Sequence, residues 1–152
     1  MQLTLAHIGA PAGPKDGFDA LTGVYLARCS AGRGELRCEA QAFRSEKALL
    51  EWLDRRTGRT AAGLVLLDSR GRQMTSEDFA GWLGARRDQG IQHLVFAVGP
   101  ASGWSDAARG RAELLLSLGP MTMGHALARL VMAEQLYRAF TILTGHPYHT
   151  GH

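Results

Sequence analysis

Long apolar runs, cysteine and aromatic residues are all scarce in this chain of 152 residues. Each scarcity excludes something. No apolar stretch approaches the roughly 18 residues that cross a bilayer. The closest candidate, the last helical segment, is interrupted by Arg129, Glu134 and Arg138. The opening Met1-Gln2-Leu3-Thr4-Leu5 lacks a basic flank and reads as a strand rather than an export signal, so a cytoplasmic protein is expected. With only Cys29 and Cys38 and no such signal, reduced structural thiols are expected. Internal repeats, low-complexity segments and linkers are missing too. A single domain over residues 1–152 follows, long enough for one well-buried core.

What is present is an ordinary globular composition, 45% hydrophobic and 20% charged, with a net charge of +3. All of the excess charge lies in residues 1–75, which hold 11 basic and 8 acidic residues, against 6 of each in residues 76–152. Arg55-Arg56 with Arg59, and Arg70 with Arg72, are of the kind that touch a phosphate backbone. A solvated face accounts for them equally well. Charge alone does not identify a partner.

Strand and helix patterns alternate, which favours an α/β sheet with helices packed on it. Leu3 to Ile8 read as a first strand, ended by Gly9-Ala10-Pro11. A helix is expected from Gly17 to Arg28, closed by Gly32-Arg33-Gly34. Leu36, Cys38, Ala40 and Ala42 alternate with polar residues, as in a half-buried strand. Ser45 is placed to cap a helix to about Arg56. Leu64-Val65-Leu66-Leu67 is a continuous apolar run, expected of a strand buried on both faces, and His93 to Val98 and Leu114 to Leu118 read as two further buried strands. Thr75 and Asp78 resemble a weak capping box opening a helix over Ser76–Arg87. A last helix is expected from Gly124 to Leu143, with Leu127, Leu130, Val131, Leu136, Phe140 and Leu143 as its apolar face and Glu134–Arg138 as an exposed pair.

Each of the three buried strands ends in a loop rich in Gly, Pro, Ser or Asp. Ligands of open α/β sheets sit in the crevice beyond the carboxyl ends of the strands, so these loops should share one pocket. Gly99 in Val98-Gly99-Pro100-Ala101-Ser102-Gly103 lets the backbone approach a ligand closely, although glycines also simply turn a chain at such a junction. Leu118-Gly119-Pro120-Met121-Thr122-Met123 is, by composition, an ordinary Gly-Pro turn. His125 and Arg129 share a helix face, where a histidine commonly caps or packs. His146, His149 and His152 raise the question of a metal, but no clear fourth ligand accompanies them, and none is expected. In the tail, Tyr148 is suited to stacking on a base and His149 to moving a proton near neutrality.

The run Leu116-Ser117-Leu118-Gly119-Pro120-Met121-Thr122-Met123-Gly124-His125 is followed by Glu134-Gln135-Leu136-Tyr137-Arg138-Ala139 and then Gly145-His146-Pro147-Tyr148-His149. This order closely resembles the carboxy-terminal region of the RlmH family, ribosomal RNA large-subunit methyltransferases of the SPOUT class. The resemblance is strong from about Ala61 to His149. Before that it rests on length, element order and an echo at Tyr25-Leu26-Ala27-Arg28.

The resemblance implies an α/β fold with a mostly parallel central sheet and a carboxy-terminal deep trefoil knot. It implies a homodimer using S-adenosylmethionine to methylate N3 of a pseudouridine in helix 69 of 23S ribosomal RNA, within assembled ribosomes. Cofactor positions fall on Leu67, Gly99, Leu118, Gly119, Pro120, Met121, Thr122 and Met123. Arg138, Tyr148 and His149 fall at the target base, with His149 as base or proton relay. Two residues depart from the family pattern. Pro100 stands where a second glycine is usual and removes a backbone donor; Thr150 stands where a basic residue usually follows the histidine. These departures leave two alternatives open: a SPOUT protein that binds cofactor or RNA but has lost catalysis, and a SPOUT methyltransferase with another RNA target.

Overall fold

The computed structural model describes residues 1–9, 17–32 and 36–151. The element order is β1 (Gln2–Ile8), α1 (Gly17–Ala31), β2 (Arg37–Phe43), α2 (Glu46–Asp54), a 3-10 turn (Gly58–Thr60), β3 (Gly63–Gln73), α3 (Ser76–Asp88), β4 (His93–Val98), α4 (Asp106–Arg111), β5 (Leu114–Ser117) and α5 (His125–Thr144). The strands form one sheet in the order β2-β1-β4-β3-β5, and every pairing is parallel. Helices cover both faces, which is why all six residues of central β4 are buried. On one face Leu26, Phe79, Leu83, Met132, Leu136 and Phe140 pack from α1, α3 and α5. On the other Leu49, Leu53, Trp104 and Ala108 pack from α2, the 99–105 loop and α4.

Most of the expected elements lie within a few residues of their sequence positions. Ser45 caps α2 by accepting the Ala48 amide at 3.0 Å, and Thr75 caps α3 by accepting the Asp78 amide at 3.0 Å. The residues expected to end β1 after Gly9, and those expected to close α1 after Gly32, lie outside the described residues. β2 is an edge strand, so its alternation is blurred and Ala40 is exposed. The Cys38 thiol donates to Cys29 Sγ at 2.8 Å, and both cysteines are free.

Three expectations need correction. β3 runs six residues past Leu67. Leu116 pairs with both Leu67 and Arg72, and residues 68–71 loop out of the ladder between them. The buried face of α5 is Met132, Ala133, Leu136, Ala139, Phe140 and Thr141; Leu127 is exposed, and Leu130, Val131 and Leu143 are only half-buried. The helix packs on α1, α3 and the sheet together, so its buried stripe follows the small and bulky residues that fit those neighbours. Finally, Glu134 and Arg138 are not an exposed pair. Their side chains are 19% and 14% exposed, because the tail folds back over them.

Candidate active site

A cavity of about 280 Å³ opens beyond the carboxyl ends of β3, β4 and β5. Of the eight residues placed at the cofactor by resemblance, seven line it: Leu67, Gly99, Leu118, Gly119, Met121, Thr122 and Met123. Pro120 is exposed and does not. The loop that follows β5 is tied to the β3 bulge through Ser117. Its hydroxyl lies 3.1 Å from the carbonyl oxygens of Ser69 and Gly119 and accepts the Gly119 amide at 3.1 Å. One buried hydroxyl thus joins two walls of the cavity.

Three further lining residues were not singled out in the sequence. The Trp104 ring is buried, and its indole N–H donates to the Leu67 carbonyl at 3.0 Å. The same ring lies against Gly99, where a Cβ would fall 2.7 Å from it. The close approach that requires glycine at 99 is therefore made by this chain's own tryptophan. A tryptophan in a short Gly-Ser loop was the available signal, since so large a ring must be buried somewhere. The other two are Asp68 and Arg109. The Arg109 Nε donates to Asp68 Oδ2 at 3.1 Å, and the Arg70 amide donates to Oδ1 at 2.9 Å. The amide bond, reinforced by Arg109, holds the Asp68 carboxyl below the usual carboxylate range against the opposing effect of burial. Pro100 also lines the cavity, offering no amide there. His125, the first residue of α5, lines it too, whereas Arg129 turns away to bind Asp19 at 2.8 Å.

Arg138, Tyr148 and His149 come together, but elsewhere. Gly145 caps α5 in the left-handed region at φ 74°, and the His146 amide reaches back to the Thr141 carbonyl at 2.9 Å, turning the tail onto the helix. There the Tyr148 hydroxyl donates to Glu134 Oε1 at 2.9 Å, and Arg138 Nη2 donates to the same oxygen at 2.6 Å. The Tyr148 ring meets Tyr137 edge-on at 4.7 Å, and the Arg138 guanidinium sits 5.0 Å from its centre. Burial, and then the Glu134 carboxylate, push the phenol up, so it remains a donor. Glu134 likewise keeps Arg138 firmly charged.

The His149 tautomer follows from its partners. A guanidinium has only donors, so Nδ1, 3.0 Å from Arg138 Nη1, accepts. Nε2 then carries the proton and donates to Glu77 Oε1 at 2.7 Å, a bond that lowers the Glu77 pKa. Neither ring nitrogen has a spare lone pair in this arrangement. None of the three tail residues lines the cavity that Leu67 and Gly99 line. Among the described residues, no group of three or more His, Cys, Asp or Glu is arranged to hold a metal ion, and no helix is long and apolar enough to cross a membrane.

Comparison with known proteins defines the class. A family model described as predicted SPOUT methyltransferase matches residues 1–149, and the chain belongs to that family. Within it, the chain is 49% identical over 152 residues, covering 100% of both sequences, to ribosomal RNA large subunit methyltransferase H of Koribacter versatilis strain Ellin345. It is 44% identical over 140 residues, 92% of this chain and 82% of the relative, to the methyltransferase of the same name from Rhizobium meliloti strain 1021. The RlmH resemblance read from the tail thus extends over the whole chain. Among solved structures, the SpoU methyltransferase AviRb of Streptomyces viridochromogenes aligns with a TM-score of 0.50 at 19% identity, over 95% of this chain and 60% of that one. The chain spans about 60% of that protein's length, and the likeness is one of fold.

Proposed function

We propose that this protein uses S-adenosylmethionine to methylate N3 of a pseudouridine in helix 69 of 23S ribosomal RNA, in the assembled ribosome and as a homodimer. The observation that carries this reading is the cavity at the strand ends, lined by seven of the eight positions that the RlmH resemblance assigns to the cofactor. Similarity to proteins named ribosomal RNA large subunit methyltransferase H, over the full length of one and most of the length of another, supports the substrate class. The residues present suit the cofactor. Leu67, Val98, Leu116, Leu118 and Met123 offer apolar walls for a flat base, while Asp68 and Arg109 offer both charges. When bound, the sulfonium supplies an already activated methyl group.

The protein's own contribution is therefore alignment and proton removal, of which alignment is worth about 7–11 kcal/mol at best and a general base about 10²–10⁴-fold. Arg138 and Tyr148 orient the base, Arg138 through its N–H groups and Tyr148 through the face of its ring, since its one phenolic proton is committed to Glu134. His149 takes the N3 proton on Nδ1, which requires the Arg138 bond to that nitrogen to give way. Glu77 then steadies the charged ring through Nε2. The tail cluster and the cavity are separate within one chain, which supports a site completed by the tail of a second copy. Leu21 and Val24 on α1 and Leu127 on α5 are exposed apolar side chains that suit such a contact.

The same reading takes residues 1–152 as one domain and the passage through the 117–123 loop into α5 as the deep trefoil knot of the class. It sets the enzyme in the cytoplasm, where ribosomes are. The test is mass spectrometry of 23S ribosomal RNA from a deletion strain. Loss of one methyl mark at a pseudouridine, restored by the intact gene, is expected. An unchanged modification profile would refute the assignment.

A further inference from the structure

The charged side chains lining a cavity whose other walls are mostly apolar or backbone are one carboxylate, Asp68, and two guanidiniums, the covered Arg109 and the exposed Arg70. The Asp68 side chain is 8% exposed and that of Arg109 26%, with 3.1 Å between them. Charges so covered are unfavourable unless fully partnered. Arg109 uses Nε on Asp68, and its other acidic neighbour, Asp106, is a fully exposed side chain 3.8 Å from Nη1. Its terminal nitrogens are thus donors available to a ligand in the cavity. Asp68 accepts one hydrogen bond on each oxygen, and the exposed Arg70 guanidinium stands 3.7 Å from Oδ1, beyond hydrogen-bond distance, so that with about four acceptor sites in all the carboxylate retains capacity for an ammonium.

We propose that the Asp68–Arg109 pair is the docking point for an α-amino acid group, with Arg109 receiving its carboxylate and Asp68 its ammonium. The inference rests on the cofactor reading above and assigns the methionine end of that cofactor to these two residues. A phosphate would find the Asp68 carboxylate beside it repulsive, whereas a zwitterion needs both signs at this spacing. The pair therefore discriminates ligands that carry an amino acid end from nucleosides that lack one.

Calorimetry on the full chain tests this with S-adenosylhomocysteine and with 5′-methylthioadenosine, which has no amino acid end. The wild type should bind the first at least about tenfold more tightly, the scale of one charge-assisted hydrogen bond. Arg109→Gln and Asp68→Asn should each erase most of that preference while methylthioadenosine affinity changes less than about twofold, and Arg109→Lys should restore part of it. Parallel weakening of both ligands, in variants whose melting temperatures confirm a folded chain, would make the pair merely a wall and overturn the proposal. Unchanged binding of S-adenosylhomocysteine with a lowered salt dependence of ribosome binding would hand Arg109 to an RNA phosphate, again overturning it. A wild type that binds neither compound would instead remove the cofactor reading itself.

Discussion

The indole of Trp104 covers Gly99 so closely that a methyl group on residue 99 would lie 2.7 Å from the ring, while its N–H holds the Leu67 carbonyl at 3.0 Å. One side chain thereby fixes two walls of the cavity. Gly99→Ala should lower stability by about 1–3 kcal/mol, the usual range for overpacking a filled site. Trp104→Leu in the same chain should recover part of that loss, because the two residues are in contact and their effects should not add. Denaturation of the two single variants and the double variant measures the coupling. Strict additivity would mean that the ring does not rest on residue 99. Gly99→Val should also abolish cofactor binding, by pushing the indole into the cavity.

The stability of the protein should fall as the solution is acidified below neutrality, and His93 is the reason. Its ring is buried, with Nε2 2.8 Å from Thr4 Oγ1 and Nδ1 3.2 Å from Arg56 Nη2. Arg56 has only donors, so the neutral ring accepts on Nδ1 and donates from Nε2 to Thr4. Burial, and then the Arg56 charge, hold the pKa below its ordinary 6.5. A group depressed in the folded state contributes stability that is complete above 6.5 and is lost as pH falls through the folded value. Asp68 and Glu77, also depressed, add a second loss at more acidic pH, below the ordinary carboxylate values of 3.8 and 4.5. Melting curves between pH 7.5 and 5 of the wild type and His93→Gln provide the check, over a range bounded roughly by the titration of histidine. The variant should be less stable at pH 7.5 but flatter across the range; parallel curves would exclude His93 as the source.

The sheet and the cavity could be read from the sequence because their causes are local. The apolar runs at Leu64–Leu67 and Leu94–Val98, bounded by turn residues and too short for a buried helix, read as doubly buried strands, and the glycine and proline loops after them lie at one end of a parallel sheet. The bulge at residues 68–71 could not be read. It exists because Leu116 pairs with two residues of β3, a tertiary fact with no periodic signature. The Asp68–Arg109 and Trp104–Leu67 contacts span 41 and 37 residues for the same reason. The rotated face of α5 was hidden because alanines and Thr141 fill close contacts that hydrophobicity alone does not rank. Tyr148 and His149 were legible as types, but their partner Glu77 lies 72 residues from His149.

Removing the tail should separate target handling from cofactor binding. Truncation after Gly145 should reduce methyl transfer by at least about a hundredfold, the lower end of general-base contributions. Cofactor affinity should hardly change, since no tail residue lines the cavity. Tyr148→Phe keeps the edge-on contact with Tyr137 and loses the hydroxyl that bonds Glu134 and Tyr25, so its rate should lie between those of the wild type and His149→Ala. A truncated protein working at the full rate would eliminate the tail from the mechanism.

If the site is shared between subunits, two inactive variants should rescue each other. Mixing Gly99→Val subunits, with the cavity blocked, and His149→Ala subunits should yield heterodimers with one intact site. Random exchange would then restore about a quarter of the wild-type rate, as expected of a two-fold dimer. Restoration absent despite demonstrated subunit exchange would place cavity and tail in the same chain.

The central claim is met most directly by incubating purified protein and labelled S-adenosylmethionine with ribosomes from a deletion strain, then mapping the label. A single labelled pseudouridine in helix 69 of 23S ribosomal RNA is expected, with none in ribosomes that already carry the mark. Cofactor binding without any transfer to ribosomes, or label on a different nucleotide, would contradict it.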